Sequence, residues 1–321
     1  MIRFFLYLQL MNFKSKLPTV RTTIFTIMSS LAKEHNALNL SQGFPDFESD
    51  PVLIELVSQA MKNGHNQYAP MMGVIELRTA IAQKFKELYQ SSYSPEKEIV
   101  ITVGATQAIF TIISAFIHTN DEVIIFTPAY DCYQPSVELQ GGKVIPIQLQ
   151  YPKNTIDWSL VENSITSKTK MMIINSPQNP SGSIFSLSDM KKLEKITNNT
   201  DIIILSDEVY EHMIFDGEKH QSICLFPALK KRSFITASFG KTFHNTGWRV
   251  GYCCGPENLM REFIKVHQFN VYSLNHPVQI ALAKYLEEPK HYNLLPEFFQ
   301  NKRDLFLSAI ATSNFSFKPT L

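Results

Sequence analysis

Six short runs rich in branched apolar residues, at 99–103, 122–126, 143–147, 171–174, 202–205 and 233–237, are separated by loops or by segments with helical spacing. Apolar runs of this length, bounded by turn signals, read as buried strands. Their alternation with helical patterns favours α/β architecture, a mainly parallel sheet with helices on both faces. The helical patterns begin with Pro51 at a first turn followed by Val52, Leu56, Val57 and Ala60, ending near Gly64. Others span 73–88 and 187–197, and beyond Asn275 two more cover 277–286 and 293–310. After the first strand, Gly104-Ala-Thr-Gln107 reads as a turn leading into an apolar helix at 108–117.

Ligands of such sheets bind at the carboxyl ends of the strands, and the residues with chemical potential sit there. Gly104, Ala105 and Thr106 follow one run, Tyr130 another, Asn179 a third, Asp207 and Tyr210 a fourth, and Ser238 to Lys241 a fifth. Lys241 ends an apolar run, and Arg249 follows eight positions later. Gly240-Lys241-Thr242 looks like the tail of a nucleotide phosphate loop, but Ile235 stands where that loop needs a glycine. A solvated surface lysine is the other bland reading, and the neighbouring residues weigh against it.

A lysine amine condenses with an aldehyde, while a hydroxyl, helix-start N–H groups and a guanidinium hold a phosphate dianion. Together these describe a site for pyridoxal 5′-phosphate. Its phosphate has two candidate holders, the backbone of Ala105 and Thr106 and the side chains of Ser238 and Arg249. Asp207 supplies the acid that keeps the ring nitrogen protonated, or else is a turn aspartate capping a helix. Tyr210 and Asn179 can donate to the ring oxygen, although the prolines and Gly182 around Asn179 also suit a tight turn. Tyr130 stacks on the ring or belongs to the core.

Bulk properties narrow the partners. With 321 residues, 44% hydrophobic and 18% charged, the chain can bury a large core in one or two domains. A net charge of +1 gives no field for nucleic acid or an anionic membrane, so small molecules are the expected partners. The four cysteines form no Cys-x-x-Cys pair and the histidines no His-Glu-x-x-His string, which points to reduced thiols and no metal. Cys253 and Cys254 continue an apolar strand after Arg249. The apolar opening, 1–10, lacks a small-residue cleavage site and runs into basic, polar residues; it is not read as a signal peptide, Met11 is an alternative start, and a cytoplasmic location is expected.

These residues resemble the fold-type I, class I/II aminotransferases. Leu40-Ser-Gln-Gly-Phe-Pro-Asp-Phe47 and Tyr130-Asp-Cys-Tyr-Gln-Pro135 are similar to the branch that contains methionine and kynurenine aminotransferases. The resemblance implies that Lys241 is both covalent anchor and proton shuttle, that Asp207 pairs the pyridine nitrogen, that Asn179 and Tyr210 bind the ring hydroxyl, and that Tyr130 stacks. It also implies that Gly43 faces the substrate carboxylate through its backbone, that Asn179 binds substrate as well as cofactor, and that Tyr68 reaches the phosphate of a neighbouring subunit, making a functional homodimer. The expected division is 1–48 as an N-terminal segment contributing to the small domain and substrate site, 49–275 as the large cofactor domain, and 276–321 as an incomplete small domain. Family members supply a carboxylate-clamping arginine beyond the equivalent of Pro319-Thr320; Arg261 and Arg303 lie too early to replace it, so a truncated product or incomplete gene model is expected. Transamination of methionine, aromatic amino acids or glutamine leads, with cysteine-conjugate β-elimination and an inactive fragment as alternatives. A cofactor-binding sensor fused to a DNA-binding module finds no helix-turn-helix before Gly43.

Overall fold

Residues 14–43, 47–315 and 319–320 are described by the computed structural model, in which residues 1–46 and 47–321 form separate compact units. The larger unit is organised by a sheet of β1 (Ile99–Thr102), β2 (Glu122–Thr127), β3 (Lys143–Gln148), β4 (Thr169–Asn175), β5 (Ile203–Asp207), β6 (Ser233–Ser238) and β7 (Gly251–Cys254). Their order is β1-β7-β6-β5-β4-β2-β3. Every pairing is parallel except those of β7, which runs antiparallel to both β1 and β6. The expected mainly parallel α/β sheet is present, and the six runs and the strand through Cys253 and Cys254 form its strands.

The continuous apolar character of the strands has a direct cause. Successive side chains point to opposite faces, and both faces are covered. Ile99, Ile101, Ile124, Met172, Ile174, Ile204 and Ile235 enter one core cluster, with Leu77, Ile81, Met190 and Leu282 from helices. Val100, Val123, Ile125, Met171, Ile173, Leu205 and Phe234 enter the other, against Ala108, Ile109 and Ile112 and against Met260 and Phe263.

Local chemistry sets the helix ends. Asp50 accepts a hydrogen bond from Val52 N–H at 2.8 Å and Pro51 opens helix Pro51–Lys62, while Ser186 and Asp189 form a reciprocal capping box on Leu187–Thr197. The expected turn at 104–107 is corrected: helix Gly104–Phe116 starts at once. Gln107, which suggested a turn, instead folds its Oε1 back onto Val103 N–H at 3.0 Å. The C-terminal helices are His276–Tyr285 and Leu295–Ile310. In the N-terminal unit, helix Ile24–Glu34 is capped by Thr23. The opening segment 1–13, part of the 40–47 motif and part of 315–321 lie outside the described residues. No helix among the described residues is long and apolar enough to cross a membrane.

Candidate active site

Because β2, β4, β5 and β6 are parallel and β1 is reached through two antiparallel pairings, the carboxyl ends of all five lie along one edge. β7 runs the other way, so its amino end, just after Arg249, joins that edge. The topology thereby collects Gly104 to Thr106, Tyr130, Asn179, Asp207, Tyr210, Ser238, Lys241 and Arg249.

The start of helix Gly104–Phe116 presents N–H groups with no partner inside the helix. Gly104 has φ +70°, and a Cβ there would fall 2.9 Å from Arg249 Nη2. The guanidinium thus lies against the positive end of a helix, and Arg249 Nη1 donates to the Thr246 carbonyl at 3.1 Å. Two positive features facing each other are stabilised by an anion between them. Gly251 permits the approach: a Cβ on it would sit 2.5 Å from the Ala237 carbonyl oxygen and 2.9 Å from Gly104 Cα. Ser238, buried at the end of β6, completes this corner.

Lys241 sits in the single turn Phe239–Thr242 that follows β6. Burial, and then the positive charge of Arg249, lower its pKa, which raises the share of neutral, nucleophilic amine. Its Nζ lies 5.7 Å from the centre of the Tyr210 ring. Burial foremost, with Asp207 and Tyr130 adding, raises the Tyr210 phenol to about 12, so it is a hydrogen-bond donor at neutral pH.

Asp207 closes β5 and is 3% exposed. Burial pushes its carboxyl up to about 6, against the pull of two donors. Tyr133 Oη donates to Oδ2 at 2.6 Å, and Val209 N–H makes a long 3.3 Å contact with Oδ1. No helix starts directly after Asp207, so this long contact caps a turn and the helix-capping alternative is set aside. The Asp207 carbonyl accepts from Asn175 Nδ2 at 2.9 Å and Ser176 N–H at 3.1 Å, and Asn175 Oδ1 takes Asn179 N–H at 2.7 Å. One asparagine thus ties the Asn179 loop to the Asp207 strand. The same loop is also a tight turn, closed by Gly182 N–H to Gln178 O at 2.7 Å. Tyr130 is half-buried, with its hydroxyl 3.2 Å from Thr106 Oγ1, linking the helix start to the aromatic.

Buried charges anchor the segment beyond Asp207. Glu208 accepts from Ser206 Oγ at 2.7 Å and Ile223 N–H at 3.0 Å, and meets His220 Nε2 at 2.8 Å. Glu211 pairs with Lys84 and accepts from Tyr89 Oη at 2.6 Å. Burial alone would raise its carboxyl, but Lys84, His212 and these hydrogen bonds hold it down at about 2.

Two further expected residues, Tyr68 and Gly43, are described by their own surroundings. Tyr68 is 79% exposed, edge-on to Tyr272 at 5.4 Å, and Gly43 belongs to the separate N-terminal unit. Arg303 is committed to Asp216 and to the Thr320 carbonyl. The sequence reading missed Tyr133 and Asn175. Tyr133 lies three residues past Tyr130 at the first position of helix Tyr133–Leu139, a position from which its hydroxyl meets the end of β5.

The donor set fits pyridoxal phosphate. A guanidinium, helix-start N–H groups and hydroxyls suit a phosphate, a lysine of lowered pKa suits an aldehyde, and a buried carboxylate with no cation partner among the described residues suits a protonated ring nitrogen.

Comparison with known proteins accords with this geometry. Residues 35–320 match the family described as Aminotransferase class I and II. The chain is 44% identical over 307 residues to methionine aminotransferase of Escherichia coli K12, covering 95% of this chain and 80% of that protein. It is 33% identical over 301 residues to human kynurenine–oxoglutarate transaminase 1, covering 87% and 71%. The crystal structure of Escherichia coli YbdL, whose report identifies a methionine aminotransferase function, superposes with TM-score 0.93 at 43% identity, covering 97% of this chain and 81% of that one. N-succinyldiaminopimelate aminotransferase of Mycobacterium tuberculosis gives 0.91 at 31% identity, covering 96% and 81%.

Proposed function

Since the chain belongs to the class I and II aminotransferases, a pyridoxal phosphate-dependent family, we propose that it moves the amino group of methionine, an aromatic amino acid or glutamine to a 2-oxo acid in a cytoplasmic homodimer. The carrying observation is the gathering of Lys241, Asp207, Gly104 and Arg249 at one sheet edge. Bound there, the cofactor supplies an electron-withdrawing ring that stabilises negative charge at the substrate α-carbon. Lys241 would hold the aldehyde, and its Nζ would take and return the α-proton. Asp207 would hold the ring nitrogen, and Tyr210 and Asn179 would donate to the ring hydroxyl. Tyr130 would supply the aromatic face against the ring. The N–H groups of Ala105 and Thr106, with Ser238, Arg249 and Tyr68 of a second copy, would hold the phosphate.

On this reading residues 49–275 are the cofactor domain, 276–321 belong to the small domain, and the Gly43 backbone in 1–48 serves the substrate carboxylate. The similarity to methionine aminotransferase of Escherichia coli supports methionine as first donor. Product analysis tests it. Methionine plus a 2-oxo acid should yield the keto acid of methionine and a new amino acid in equal amounts. A cysteine conjugate yielding pyruvate, ammonia and a thiol, with no transfer from methionine, would assign the chain to β-elimination instead.

A further inference from the structure

The bond between Tyr133 and Asp207 is used by no step so far. Tyr133 is 3% exposed, fixed at the first position of helix Tyr133–Leu139, and its hydroxyl donates to Asp207 Oδ2 at 2.6 Å. We propose that Tyr133 is a positioning residue: by occupying Oδ2 it keeps Asp207 ionised and leaves Oδ1, which has only the 3.3 Å contact from Val209 N–H, to take a strong donor, the protonated ring nitrogen. The inference rests on the function proposed above.

The chemistry runs in one direction. A hydroxyl bonded to the charged form of a carboxyl favours that form, whereas burial favours the neutral one. A neutral Asp207 would carry its own proton and could not pair with a protonated ring nitrogen. Among the described residues the titratable groups around Asp207 are Tyr133, Tyr130 and Cys132 on the segment after β2, and Glu208 and Tyr210 on its own segment. None of these is a cation. Within this shell Tyr133 is the side chain that bonds the Asp207 carboxylate directly.

The test compares binding of pyridoxal phosphate and of its analogue with carbon in place of the ring nitrogen to the wild type, Tyr133→Phe, Asp207→Asn and the double variant. Tyr133→Phe should lose about tenfold in affinity for pyridoxal phosphate at neutral pH and leave the analogue within about twofold. The double variant should match Asp207→Asn, because Tyr133 acts through that carboxylate. Equal weakening of both ligands, or a further loss in the double variant, would overturn the proposal in favour of a purely structural tyrosine. Carboxyl carbon NMR of the ligand-free chain gives a second readout. There the Asp207 titration should move to higher pH in Tyr133→Phe, and an unmoved titration counts against the proposal. A wild type that binds neither ligand overturns the proposed function itself, an outcome distinct from wild-type binding with no discrimination by the variant.

Discussion

At the scale of single residues, Asp207 is held where ionisation is costly. Its folded pKa of about 6 lies above its ordinary value of 3.8, so the ligand-free folded state binds the extra proton. The ligand-free chain therefore loses stability as pH rises from about 4 to about 6, with a total cost on the order of 3 kcal/mol. Asp207→Asn removes that cost. Denaturation of the ligand-free variant at a series of pH values should show it at least as stable as wild type above pH 6, with the gap closing towards pH 4. Added pyridoxal phosphate should stabilise wild type and do much less for the variant. Lys241→Ala should lower kcat of transamination by at least about a hundredfold, read in a half-reaction with methionine. Lys241, Asp207 and Arg249 were legible in the sequence because each follows or precedes a strand end, a position that pattern reveals. Tyr133 and Asn175 were not, because their roles are contacts between segments far apart in the chain.

Among elements, the site depends on how closely helix Gly104–Phe116 and Arg249 approach. Gly104→Ala would place a methyl 2.9 Å from Arg249 Nη2 on a backbone at φ +70°, a conformation that alone costs a side chain about 1–2 kcal/mol. Affinity for pyridoxal phosphate should fall more than affinity for pyridoxal without phosphate; an equal fall would mean that this corner does not hold the phosphate. The segment after Asp207 leans on the buried Lys84–Glu211 pair. Lys84→Ala leaves Glu211 buried without its cation and should cost about 3–5 kcal/mol in chemical denaturation. Strands were readable because burial on both faces makes them apolar throughout. The start of helix Gly104–Phe116 was misread as a turn, since glycine and threonine are turn formers and only the fold shows Gln107 closing back on Val103.

Across the whole molecule, the sheet order turns separate stretches of sequence into one edge. Six parallel strands with β7 reversed bring the Lys241–Arg249 connection, which joins β6 to antiparallel β7, to the same end as Gly104, Tyr130, Asn179 and Asp207. The alternation of runs was enough to read the α/β class, but no local signal encodes the order β1-β7-β6-β5-β4-β2-β3. Tyr68, which the proposed function places at a second copy, is exposed and edge-on to exposed Tyr272. Sedimentation should give a dimer, and Tyr68→Phe should weaken cofactor binding without altering the fold. The most direct test of the site is to reduce the purified chain with borohydride in the presence of pyridoxal phosphate and to map the modified peptide by mass spectrometry. Stoichiometric label on Lys241, abolished in Lys241→Ala and reduced by excess methionine, is the expected result. Label spread over surface lysines, or absent from Lys241, would contradict the assignment of this sheet edge as the catalytic centre.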